Sequence, residues 1–146
     1  MCTVTVITTS LAHASLLASR DIHVVSTGGL VDSEDLAQSG ALAEHGIARF
    51  HASTAVLGAA GISRRAGVSD LDAAQADLHR RMIERSERVI ILADGSKAGV
   101  AAPCVVCDLD QVTELVTDPG GAAAMAHESS LSRVRLVVAA PSAPAA

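Results

Sequence analysis

Strand-like and helix-like segments alternate along this chain, and that alternation constrains its fold more than any other feature. Helix-like segments with apolar positions on one side separate the strand-like ones. The predicted strands are 3–9, 22–26, 54–58, 89–93 and 133–140, and the predicted helices are 11–20, 36–50 and 69–88. Because such alternation is typical of βαβ units, the sequence predicts an α/β domain with a mainly parallel sheet. The run 89–93 is wholly apolar, which predicts a strand covered on both faces.

The composition fits one folded domain and disfavours nucleic-acid binding. The chain has 146 residues, 49% hydrophobic and 18% charged, enough apolar content for a core. Phe50 is the single aromatic residue, so stacking on bases is nearly excluded. A net charge of −5 without a basic run also argues against a nucleic-acid surface. We therefore expect a small-molecule ligand.

No membrane or export signal is expected from the sequence. The apolar runs have strand length and fall short of the roughly 18–20 residues of a spanning helix. The segment 1–4 has no basic residue of the kind that opens a secretory signal. Three cysteines, an odd number, predict free thiols in a cytoplasmic protein.

Helix 69–88 and the segment 119–130 carry three local predictions. Ser69 and Asp72 have the spacing of a capping box at the start of the helix. Asp77 and Arg81 are four residues apart, which predicts an exposed ion pair on the same helix. Small and polar residues predict that 119–130 is a loosely held connection.

Four polar or glycine-rich loops follow predicted strands, where open parallel sheets bind their ligands. These loops are Thr8–Ser10, Thr27–Gly29, Gly58–Gly61 and Asp94–Lys97. If their strands are neighbours, the loops converge at one edge of the sheet.

Within these loops the residue types suit a phosphorylated polyol. Glycines allow a ligand close to the backbone, Lys97 offers a compact positive charge, and Asp94 accepts hydroxyl hydrogen bonds. The alternatives are that Lys97 is simply solvated, that Asp94 caps a following turn, and that Gly58 and Gly61 serve a tight turn.

Cys104 and Cys107 form a C-x-x-C pattern, for which we expect a packing role and no metal. In an extended segment, residues three apart point to opposite sheet faces, which suits neither a disulfide nor a shared metal ion. The sequence has no Walker or G-x-G-x-x-G element, so no cofactor is predicted.

From Val24 to Asp118 the chain resembles the C-terminal effector-sensing domain of DeoR-type transcriptional regulators. That domain is similar to ribose-5-phosphate isomerase and the coenzyme A transferases. The matching pieces are VSTGG at 25–29, FHA at 50–52, LGAAGI at 57–62, MIE at 82–84, ILADGSK at 91–97 and VTD at 116–118. Ala-Asp-x-Ser-Lys after an apolar strand is the most specific of these pieces.

The resemblance implies a cytoplasmic sensor of a phosphorylated sugar or related metabolite, within a regulator or repressor of carbohydrate genes. It implies a Rossmann-like, three-layer α/β/α domain over 1–140. The terminal residues 141–146 predict a disordered tail. Asp94, Ser96 and Lys97 would lie beside the ligand, and Asp77 near the position of a catalytic Glu in the isomerases. The expected ligand-binding residues are Thr27, Gly28, Gly29, Gly58, Gly61, Asp77, Asp94, Ser96 and Lys97.

Departures from the family pattern predict binding without catalysis or direct DNA contact. Leu57 and Ala60 stand where the isomerases have carboxylates, so the base for proton transfer is missing and no enzyme is expected. The chain begins after the family's helix-turn-helix, first strand and phosphate loop, so we expect a sheet truncated at its first strand and no DNA contact of its own. The alternatives are an isomerase-like enzyme and an interaction module, as a homo-oligomer or paired with full-length regulators.

Overall fold

The computed structural model describes residues 4–126 and 133–139, and the described chain divides into two compact units. The boundary lies between His51 and Ala52. The predicted tail at 141–146 lies outside the described residues. No helix in the described ranges is long and apolar enough to cross a bilayer.

The first unit contains two parallel strands, a short antiparallel pair and two helices. Its elements are β1 (Thr5–Thr8), α1 (Leu11–Ala18), β2 (His23–Ser26), β3 (Leu30–Val31), β4 (Gln38–Ser39) and α2 (Ala41–Ala48). β1 pairs with β2 in parallel, and β3 pairs with β4 in antiparallel. The Ser10 side chain caps α1 by accepting from the His13 amide. The helix predicted at 36–50 is shorter, because β4 occupies its first residues and Gly40, with φ +82°, precedes α2.

The second unit is built on a four-stranded parallel sheet. Its elements are β5 (Ala52–Gly58), β6 (Gly61–Ser63), β7 (Gly67–Asp70), α3 (Ala73–Glu84), β8 (Ser86–Leu92), β9 (Cys104–Cys107), β10 (Glu114–Thr117), α4 (Pro119–Met125) and β11 (Arg135–Val138). The large sheet has the order β11-β10-β8-β5, with all neighbours parallel. β6, β7 and β9 form a smaller antiparallel sheet. The predicted α/β class with a mainly parallel sheet is confirmed.

The core of the second unit lies on one face of the large sheet. Alternate residues of β8 are buried there, including Val89 and the fully buried Ile91, beside Leu115 of β10. Residues of α3, α4 and the small sheet complete this apolar cluster. Leu92, on the other face of β8, is 46% exposed, so the expectation that both faces of 89–93 are covered is wrong at that residue.

Helix α3 starts later and ends earlier than the predicted helix 69–88. Asp72 alone caps it, by accepting from the Gln75 amide 2.9 Å away, because Ser69 lies within β7 and is buried. The predicted capping box of Ser69 and Asp72 is therefore wrong. The helix ends at Glu84 because the chain enters β8 at Ser86.

The predicted loose connection at 119–130 is wrong over its first half. Residues 119–125 form α4, which begins with Pro119 and is capped by Asp118 through the Gly121 amide. Residues 127–130 lie outside the described ranges.

Candidate functional site

A cleft of about 370 Å³ opens where the four parallel strands of the second unit end. Each strand contributes to its wall. The lining consists of Gly58 and Ala59 after β5, Leu92–Asp94 and Lys97 after β8, Val116–Asp118 after β10, and Ala139 after β11. The cleft thus occupies the carboxyl edge of the sheet, where open α/β folds bind ligands.

Asp94 shapes the turn that borders the cleft. Its carboxylate accepts from the Ser96 amide at 2.7 Å and starts the 3-10 turn Gly95–Lys97. The hydrogen bonds from Ser96 and, to a lesser degree, the charge of Lys97 lower the pKa of Asp94 below its usual value. Asp94 therefore caps a turn, as the alternative predicted, and also presents an ionised carboxylate to the cleft.

Lys97 brings a positive charge to the cleft. It is the only lysine in the sequence, and its side chain is half-buried at the end of the turn. Among the described residues, no carboxylate lies within 4 Å of its ammonium group. Its charge is therefore available to an anionic ligand.

Asp118 was missing from the predicted site, although it lines the cleft. Its carboxylate accepts from the Gly95 amide at 3.3 Å and from the Gly121 amide at 2.6 Å. These bonds tie the Lys97 turn to the start of α4. The Val-Thr-Asp triplet after a strand-like segment was the signal that could have identified Asp118.

Thr117 has a hydroxyl group that is buried behind the cleft. Its Oγ1 has no hydrogen-bond partner in the part of the chain that the structure describes. A Cβ at Gly121 would overlap this oxygen, so α4 approaches β10 closely at that point. Only glycine fits at this position of α4.

Gly58 and Gly61 have different roles in the structure. A Cβ at Gly58 would meet nothing within 4 Å, and this residue lines the cleft. A Cβ at Gly61 would overlap the Val100 carbonyl oxygen and approach Ser69 Oγ within 2.9 Å. Gly61 is not among the lining residues, so it serves packing of the backbone.

Asp77 and Ser96 are predicted site residues that do not line the cleft. Asp77 lies on α3 and pairs with Arg80, which also donates to the Val105 carbonyl oxygen. The predicted pair with Arg81 is wrong, since Arg81 pairs with Glu84. Ser96 acts through its bonds to Asp94.

The loop Thr27–Gly29 belongs to the first unit and follows β2. Gly28 and Gly29 have φ values of +78° and +120°, a conformation that favours glycine. A Cβ at Gly29 would overlap the Ser39 carbonyl oxygen, and one at Gly46 would overlap that of Thr27. Within its unit the loop packs tightly on β4 and α2, and its role in ligand binding stays a prediction.

The two described cysteines lie in β9. Burial, followed by the charges of Asp108 and Asp110, raises the pKa of Cys107 to about 11. Cys104 Sγ lies 3.9 Å from the Leu71 carbonyl oxygen. The described residues contain no group of three side chains arranged to hold a metal ion.

Comparison with known proteins decides the family of the chain. Residues 2–119 match the family described as the DeoR C terminal sensor domain. The chain belongs to this family. The DeoR-type sensor domain predicted from the six matching pieces between Val24 and Asp118 is thereby confirmed.

Curated relatives of this DeoR sensor domain are transcriptional regulators. It is 38% identical over 117 residues to the uncharacterized HTH-type transcriptional regulator YulB of Bacillus subtilis, covering 80% of this chain and 45% of that protein. It is 30% identical to the repressor GlcR of the same species (78% and 44% covered) and 28% identical to the L-fucose operon activator of Haemophilus influenzae (78% and 46%). The chain therefore spans less than half the length of these relatives.

Proposed function

We propose that this DeoR sensor domain binds a phosphorylated sugar in the cleft at the carboxyl edge of the large sheet. The observation that carries the proposal is the unpaired Lys97 ammonium beside the ionised Asp94 carboxylate. Lys97 would bind the phosphate, and Asp94 would accept hydrogen bonds from sugar hydroxyls. The cleft volume of about 370 Å³ lies at the lower end of small-molecule sites.

The walls of the cleft also suit the carbon skeleton of a sugar. Leu92 and Val116 present apolar side chains beside the polar groups. Gly58 leaves room at the end of β5 because it carries no Cβ. We infer that the bound sugar lies across the ends of β5, β8 and β10.

We further propose that the domain senses its ligand and does not convert it. Isomerisation of a sugar phosphate needs a base free to move a proton between carbons. Asp118 uses both carboxylate oxygens to hold backbone amides, and Asp94 uses one oxygen in the same way. In the whole protein, which we propose to be a cytoplasmic regulator of sugar genes, the ligand would control DNA binding by another part of the chain.

Isothermal titration of the full chain with ribose 5-phosphate, fructose 6-phosphate and glucose 6-phosphate tests the proposal. We expect heat of binding for at least one of them and none for the unphosphorylated sugars. Lys97→Gln should weaken that binding tenfold or more, by about 1.4 kcal/mol or more, since a charged hydrogen bond is lost. Arg65→Gln, which removes the same charge from an exposed turn, is the matched control and should leave binding unchanged.

Equal affinity in the two variants would contradict the role of Lys97, and no heat with any of the three sugar phosphates would contradict the binding of a phosphorylated sugar. An isomerase assay with ribose 5-phosphate separates the second candidate function. Turnover above the uncatalysed rate that disappears in Asp94→Asn would show that the cleft is catalytic.

A further inference from the structure

The hydroxyl group of Ser69 joins three separate backbone segments in the second unit. Ser69 lies in β7 and is fully buried. Its Oγ donates to the Gly61 carbonyl oxygen at 3.2 Å and accepts from the Ala102 amide at 3.0 Å. One side chain therefore connects the start of β6, β7 itself and the segment that follows the Lys97 turn.

The segment 98–102 leads directly out of the Lys97 turn and lies against β6. The Gly99 amide donates to the Ile62 carbonyl oxygen at 2.8 Å, and Ala98 forms a parallel bridge with Ile62. The Val100 carbonyl oxygen occupies the space that a side chain at Gly61 would need. The hairpin of β6 and β7 thus holds the exit of the turn by several short contacts.

The entrance of the turn is held elsewhere, by Asp118 through the Gly95 amide. Lys97 therefore lies between two anchors, one at α4 and one at Ser69. Without the Ser69 bond to the Ala102 amide, the exit of the turn keeps its contacts with Ile62, but the segment 98–102 can open more readily. Because a charge that moves away from its ligand contributes little to binding, the position of Lys97 depends on both anchors.

We propose that Ser69 is a positioning residue that holds Lys97 at the cleft by fixing the segment 98–102 to the β6–β7 hairpin. This rests on the proposed function only for the identity of the group that Lys97 binds. Ser69 itself does not line the cleft, so its effect on a ligand is indirect.

Amide hydrogen exchange followed by NMR on the full chain, without ligand, tests this positioning in Ser69→Ala. The informative amides are those of Lys97, Gly99 and Val100, which bond to Asp94, Ile62 and Lys97 and not to Ser69. We expect them to exchange about tenfold faster, because loss of the buried bonds permits local opening. The amides of Ile91 and Ala93 in and after β8 should keep their rates.

Ser63→Ala is the matched control. Ser63 lies in β6 of the same hairpin, is also buried, and accepts from the Ala66 amide at 3.1 Å within the hairpin turn. This variant removes a hydrogen bond within the hairpin turn, whereas the bond from the Gly99 amide to β6 is accepted by Ile62. Exchange at Lys97, Gly99 and Val100 should remain at the wild-type rate in this control.

Conservative variants keep the test decisive if Ser69→Ala is too unstable to study. Ser69→Thr keeps the hydroxyl, so it should protect the turn better than Ser69→Ala, although its added methyl group lowers the stability of this fully buried site. Ser69→Cys keeps the shape of the side chain with a larger sulfur atom that bonds more weakly, so it should show the same local pattern with a smaller increase. The proposal is overturned if the turn amides keep wild-type rates, or if every amide of β8 and β10 accelerates equally.

A second readout separates this inference from the proposed function. Lys97, as the only lysine, gives a single side-chain signal after reductive ¹³C-methylation, and this signal is titrated with inorganic phosphate. Ser69→Ala should weaken phosphate binding about fivefold relative to Ser63→Ala. Equal affinity in the two variants refutes the positioning role. If wild type binds no phosphate, the proposed function loses this support, and the exchange rates still decide whether Ser69 positions the turn.

Discussion

The two units of the chain bury very different amounts of apolar side chain around their parallel strands. Among the described residues of the first unit, the buried apolar ones are Ala43 and Ile47 of α2, and α1 contains no buried residue. In the second unit, sixteen buried residues form one cluster around Ile91 and Leu115. A packed sheet holds the strand ends in place, so the second unit can keep a cleft open at its carboxyl edge.

The loops at the carboxyl ends of the strands differ in the same way. After β2, Gly29 lies against the Ser39 carbonyl oxygen, and Gly46 of α2 lies against that of Thr27. After β5, Gly58 faces open space in the cleft. Glycines that look alike in the sequence therefore allow close backbone packing in one loop and leave open space in a cleft in the other.

The largest expected effect tests the difference in apolar packing between the two units. Ile91→Ala should lower the free energy of unfolding by about 2–5 kcal/mol, because a fully buried side chain leaves a cavity in a packed cluster. Ile47→Ala should cost less, since few buried neighbours surround it and the site can relax. Urea unfolding followed by circular dichroism measures both. Equal losses in the two variants would contradict the contrast between the units.

The next largest effect on stability tests the packing role of the loop after β2. Gly29→Ala should destabilise by about 2–4 kcal/mol, because the new Cβ overlaps the Ser39 carbonyl oxygen in a backbone with φ +120°. Gly28→Ala should destabilise by only about 1 kcal/mol, the cost of a side chain at φ +78°, since the new Cβ meets no other atom within 4 Å. Thermal unfolding of the two variants gives the comparison. A Gly29→Ala protein as stable as wild type would rule out the steric explanation.

The corresponding pair in the second unit separates stability from binding. Gly61→Ala should cost about 1–3 kcal/mol because its Cβ overlaps the Val100 carbonyl oxygen. Gly58→Ala should stay within about 0.5 kcal/mol of wild type and yet weaken the binding of ribose 5-phosphate, since the methyl group enters the cleft. Unfolding and titration on the same samples test this. Loss of stability in Gly58→Ala without loss of affinity would place this glycine with the packing glycines.

The smallest expected effect is the contribution of His79 in the second unit to the pH dependence of stability. His79 Nδ1 lies 3.2 Å from Asp70 Oδ2, and burial lowers the pKa of His79 below 6.5 although Asp70 opposes the shift. The unfolded chain therefore binds the proton more readily, so this contribution to stability is present above pH 6.5 and is lost as the pH falls below it. His79→Gln should flatten the fall in stability between about pH 7 and pH 5. An unchanged slope in this variant would assign the pH dependence to other groups.

Local sequence patterns predicted the parts of the site that depend on neighbours in the chain. The apolar segment 89–93 followed by Asp94-Gly-Ser-Lys97 predicted a strand and a polar turn, and both are present. Asp77 was placed in the site by resemblance alone, and its helix directs it to Arg80 instead. The bonds from the Gly95 amide to Asp118 and from the Ala102 amide to Ser69 were missed because they join residues 23 and 33 apart in the sequence.

By itself, the sequence determined the α/β class, the strand that precedes the polar turn at 94–97, that turn itself and, through its motifs, the DeoR sensor family. These properties follow from hydrophobic periodicity and short motifs, which act over a few residues. Only the tertiary structure decided that Gly58, Asp94, Lys97 and Asp118 share one cleft. It also decided that Gly61 and Ser69 serve backbone packing, because close approach between distant segments arises only when the strands pair and the core packs.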